Sequence, residues 1–112
     1  MNTQQEIETI ELSIKHARAI VEEGKAIRRL LNNRDFKKTI LDQLFEKEPV
    51  RLVLLKAEPT YASAEAQEGL MKEMDVIGGF RKYLTARLTL ADQVSGEIEG
   101  HEDTLEELRS ED

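Results

Sequence analysis

A chain of 112 residues with a net charge of −7 and no cysteine is sized for one domain with a modest core. Disulfides, thiolate metal sites and cysteine nucleophiles are excluded, and the overall charge opposes the basic surface that a general nucleic-acid binder uses to neutralise phosphates. Charged residues make up 35% of the chain and aromatics 4%, with no Trp and two Pro, the balance of long helices and coiled coils.

The opening MNTQQEIETIELS has neither the basic start nor the apolar run of a signal peptide, and no segment approaches the roughly 20 apolar residues of a membrane span. A soluble protein without membrane contact is expected. The first helix is placed at 3–32, because Thr3-Gln4-Gln5-Glu6 reads as a capping box in which hydroxyl and carboxylate each satisfy a backbone N–H. Ile7, Ile10, Ile14, Ala17 and Val21 then follow at alternating steps of three and four, the spacing of a coiled-coil seam, with Ile20, Ile27, Leu30 and Leu31 widening it. Asn32-Asn33 is the stop.

Phe36, Ile40, Leu41, Leu44 and Phe45 predict a second helix over 35–47, and Pro49 opens a third over 49–57. The run VRLVLLK has some alternation, yet no second strand-like run exists to pair with it. Pro59 and TYAS make a turn, after which Ser63 caps a long helix over 63–99 whose stripe is Leu70, Met74, Ile77, Leu84, Leu88, Ala91, Val94 and Ile98. Gly96 and Gly100 weaken that helix by about 1 kcal/mol each, so residues 101–112 are expected to form a frayed or solvated acidic tail.

Together these elements predict an all-α fold: a long antiparallel helical hairpin, coiled-coil-like, with two short helices at its tip, in a single domain over 1–100. If Leu31 lies near Leu70 and Ile7 near Val94, Gly24 falls opposite Gly78 and Gly79, and glycine on both helices would permit a close crossing. Charge is polarised as well. Residues 97–112 hold eight acids against one Arg, whereas Lys25, Arg28, Arg29, Arg34, Lys37 and Lys38 face the single acid Asp35 within 24–38.

No motif carries recognisable chemistry. His16 and His101 lack metal-ligand spacing, and EGHEDTLEELRSED lacks the glycine turn of a calcium loop. GG is not a phosphate loop, having no Gly-Lys-Ser/Thr after it. The expectation is a protein that is not an enzyme, with no catalytic residue, cofactor or metal. Phe36, Ile40, Leu44, Phe45, Val53, Leu54 and Leu55 hold most of the apolar side chains outside the hairpin seam, and the first six of them are the candidate partner surface. The candidate basic patch is Lys25, Arg28, Arg29, Arg34, Lys37 and Lys38.

The stretch RLLNNRDFKKTILDQLFEKEPVRLVLLKAEP, then EMDVIGGFRKYL, then EDTLEELRSE resembles a group of small acidic helical proteins of tailed bacteriophages, encoded among genes for virion structure and assembly. Their pattern is Asn-Asn-x-Asp-Phe-Lys-Lys, an acidic residue before VRLV, and Ile-Gly-Gly/Ser-Phe/Leu-Arg-x-Tyr. The resemblance covers most of the chain. It implies a phage protein of the host cytoplasm or the virion, and it transfers no catalytic or ligand residue. In outline the chain is also similar to prefoldin-type hairpin subunits, although prefoldins carry strands where this chain reads as helix.

The expected function is therefore a non-enzymatic protein-binding role, as a minor virion component or assembly factor. Its partners would be phage structural proteins or a host factor, with homo-oligomers expected. Two other readings fit parts of the sequence: an inhibitor of a host factor whose acidic helices imitate nucleic-acid phosphates, and a small regulator that touches nucleic acid through residues 25–38.

Overall fold

The computed structural model describes residues 2–111; Met1 and Asp112, the outer ends of the predicted domain and tail, lie outside the described residues. The chain is all-α, with no strand among the described residues: α1 spans Thr3–Leu31, α2 Arg34–Phe36, a π-helix Lys37–Lys47, α3 Glu48–Lys56 and α4 Ala64–Ser110. Val50 to Leu55 is helical, which settles the ambiguous run.

Local chemistry explains the boundaries. At the start of α1 the capping box is made by Asn2 and Gln5 rather than Thr3 and Glu6: Asn2 Oδ1 accepts from the Gln5 N–H at 2.8 Å, and the Asn2 N–H donates to Gln5 Oε1 at 3.1 Å. Asn33 caps α2, its side-chain oxygen accepting from the Phe36 N–H at 3.0 Å. Ser63 caps α4 by accepting from the Ala66 N–H at 3.1 Å.

Between Phe36 and α3 the half-buried side chains are Ile40, Leu41, Leu44 and Phe45. They stand at i, i+1, i+4 and i+5, on one side of the helix. The segment is wound i→i+5, and the Glu48 N–H donates to the carbonyl of Gln43. Where α winding resumes, Pro49 stands in the first turn of α3, directly after the π-helix with no break between them. Pro49 therefore does not separate two helices as expected; Lys47 and Glu48 keep helical backbone angles.

Two compact units emerge, one made of residues up to Arg28 with those from Ala86 onward, the other of Arg29–Thr85. In the first, α1 and the later part of α4 form an antiparallel hairpin. Its core joins Ile7 and Ile14 to Leu105, with Ile10, Ile98 and Leu108 packed around them. In the second, Leu52 of α3 and Leu70 and Ile77 of α4 form the core, flanked by Leu44, Phe45, Leu55, Tyr61 and Met74. The core positions Leu70, Ile77, Leu84, Ala91 and Leu105 of α4 are separated by sevens or a multiple of seven, and Val94 follows Ala91 by three, the alternation of a coiled-coil stripe.

Two expectations are corrected. The acidic segment is not a frayed tail: α4 continues to Ser110 and Leu105 is buried. Burying a leucine, worth about 1.5–3 kcal/mol, offsets the helix cost of Gly96 and Gly100. The hairpin register also differs, for Gly24 does not meet Gly78 or Gly79. It meets Ala91, so closely that a Cβ on Gly24 would collide with the Ala91 Cβ, whereas Gly78 and Gly79 are exposed, with open space where a Cβ would stand. Relative to the expected pairing of Gly24 with Gly78, α1 lies roughly four helical turns further along α4.

Candidate functional site

Four ion pairs cross the hairpin of the first unit and mark its register: Glu11 with Arg109 at 2.7 Å, Arg18 with Glu102 at 2.6 Å, Glu23 with Arg87 at 3.4 Å and Arg28 with Asp92 at 2.8 Å. All are solvent-facing, so each contributes little stability. Their value lies in matching one alignment of two apolar seams. One acid of the C-terminal segment, Glu102, is thus engaged within the chain, and Arg109, the one cation of that segment, is tied to Glu11.

The predicted basic patch divides. Lys25 and Arg28 belong to the first unit and are paired with Glu22 at 3.1 Å and with Asp92. Arg29, Arg34, Lys37 and Lys38 belong to the second unit and are exposed.

The predicted apolar surface divides too. Leu44 and Phe45 pack against the core of the second unit, and Phe45 sets its ring edge-on to Phe80, with centroids 5.4 Å apart. Leu55 joins the same core, while Phe36 and Ile40 are half-buried. Val53 and Leu54 remain outside, 58% and 64% exposed, and with them Val50, 58% exposed, which sequence reasoning did not single out. The three stand at i, i+3 and i+4, one face of α3, opposite the face that buries Leu52. In VRLVLL nearly every position is apolar, so the helix is greasy all round and only packing decides which side is covered.

Beside α3, a groove of about 400 Å³ is floored by Leu44, Leu52, Val76 and Ile77 and rimmed by Thr39, Gln43, Glu48 and Glu73. Arg51 partners one rim acid: its guanidinium hydrogen-bonds the Glu48 carboxylate, which holds that group below its ordinary pKa and raises that of Arg51. The sign follows from the lowered value. Any stabilisation from the pair is present at neutral pH and is lost as the pH falls through the Glu48 titration.

Among the described residues, no group of three or more His, Asp or Glu is placed to hold a metal ion, and no helix is long and apolar enough to cross a membrane. His16 is exposed and His101 half-buried. Gly24, predicted to mark the helix crossing, meets Ala91; among the described residues nothing approaches Gly78 or Gly79 closely. Comparison with family models, with curated proteins and with solved structures finds no match in any of the three.

Proposed function

We propose that this chain acts by binding another protein through the outward face of α3, as a minor virion component or assembly factor of a tailed phage. One observation carries the binding role: Val50, Val53 and Leu54 are each more than half exposed on a single helix face. Leaving more than half of three neighbouring branched apolar side chains in water forgoes about 1–2 kcal/mol apiece, a cost that a covering partner removes. The phage setting is supported by the sequence resemblance alone. Arg29, Arg34, Lys37 and Lys38, exposed in the same unit, would orient an acidic partner.

The test uses V53S/L54S, which removes apolar surface without touching the core. Circular dichroism and melting should stay within about 0.5 kcal/mol of the parent. Mass spectrometry of purified particles should find the parent chain at fixed stoichiometry and the variant depleted, or particle yield reduced. A parent chain that is absent from particles and dispensable for their formation would exclude the assembly role.

A further inference from the structure

A different surface of the second unit lies on α4 itself. Leu70, Ile77 and Leu84 point to the core; on the flank of the same turns, one position before Ile77 and Leu84, Val76, which also lines the groove beside α3, is 72% exposed and Tyr83 52% exposed. Gly79 sits between them, three residues after one and four before the other, with open space beyond its Cα. Phe80, 37% exposed, closes one edge. A glycine inside a helix costs about 1 kcal/mol relative to alanine, and nothing within the chain uses the close approach that Gly79 permits.

The charges around Gly79 have a direction. Asp75 precedes it by four residues and Lys82 follows it by three; they are seven apart and therefore share a flank. Both are exposed, and neither is ion-paired within the chain among the described residues. Lys72, on the same side one turn earlier, is held by Glu68 at 3.3 Å.

A two-fold axis that reverses the helix direction exchanges the ends of this face. It sets Asp75 of each copy beside Lys82 of the other, and Val76 beside Tyr83 on the opposite flank. Parallel pairing would instead set this charged flank against Val76 and Tyr83 of the other copy, with no charge opposite either residue. The face is thus complementary to itself in the antiparallel sense, as an isologous interface requires. We propose that two copies of this chain dimerise through α4, antiparallel and crossing at Gly79, with Val76, Phe80 and Tyr83 covered at the contact. This pairing is independent of the partner-binding face on α3.

Sedimentation equilibrium on the full chain, with circular dichroism as a fold control, tests it. The parent chain should give twice its monomer mass. Asp75→Lys and Lys82→Asp should each weaken dimerisation about tenfold or more, because like charges then meet twice, and D75K/K82D should restore the dimer. Gly79→Leu, whose side chain enters open space in the monomer, should keep helix content and lose the dimer. A parent chain that stays monomeric at every concentration overturns the proposal, even if a different protein covers the face. So does a dimer indifferent to the single swaps, or one that the double swap fails to rescue.

Discussion

Leu52→Ala is expected to destabilise the second unit by about 2–5 kcal/mol, the largest loss available from a single side chain in this protein. Leu52 is the one large side chain among the described residues that is fully buried, and Leu70 and Ile77 of α4 close over it. Truncation would leave a void between α3 and α4 that short helices with few other anchors cannot collapse around. Domains of this size are held by roughly 5–15 kcal/mol, so much of the folded population would be lost. Urea unfolding followed by far-UV circular dichroism and by tyrosine fluorescence, to which Tyr61 beside the cluster contributes, reads the change. The control lies two residues away: Leu54→Ala, at a position 64% exposed, should shift stability by no more than about 0.5 kcal/mol. Equal losses for the two variants would mean that α3 turns a different face inward.

That pair of neighbours also shows where the sequence is readable. The long seams are legible because Ile7, Ile10, Ile14 and Ala17 on one helix, and Leu70, Ile77, Leu84 and Ala91 on the other, repeat at a period that only a coiled-coil helix satisfies. Within VRLVLL no period exists, since apolar residues occupy both faces. Leu52 and Leu54 are the same residue type in the same helix, and only the position of α4 separates core from surface. The candidate partner face therefore had to come from packing, and Val50 escaped notice because it follows Pro49 at what looked like a boundary.

Register was illegible for a related reason. A periodic apolar seam matches its partner almost equally well after sliding by whole turns, so periodicity alone does not say which residue faces which. Two kinds of information break that degeneracy: Gly24 against Ala91, and the cross-helix pairs from Glu11 to Arg109, Arg18 to Glu102, Glu23 to Arg87 and Arg28 to Asp92. Both are relations between residues distant in the chain. The end of α4 is a different case, because its signal was present locally. Leu105 follows Ile98 by seven residues and Leu108 follows by three more, continuing the stripe through the glycines that seemed to end it.

Gly24 provides the sharper test of that register. An alanine there must place its Cβ against the Ala91 Cβ, a group fixed to the backbone that cannot swing aside. The helices must part, at about 1–3 kcal/mol for overpacking, set against a gain of about 1 kcal/mol in helix propensity. A net loss of up to about 2 kcal/mol is expected for Gly24→Ala, and a larger one for Gly24→Leu. Gly78→Ala has the opposite sign: its Cβ meets nothing within 4 Å, so it should stabilise by about 0.5–1 kcal/mol. The cycle closes with G24A/A91G, which moves the methyl group from one helix to the other and should recover most of the loss, a coupling of about 1 kcal/mol or more. Urea midpoints of the four proteins measure it. If Gly24→Ala and Gly78→Ala stabilise alike, or if A91G gives no rescue, then Gly24 and Ala91 do not share a layer, and the register that the ion pairs mark fails with them.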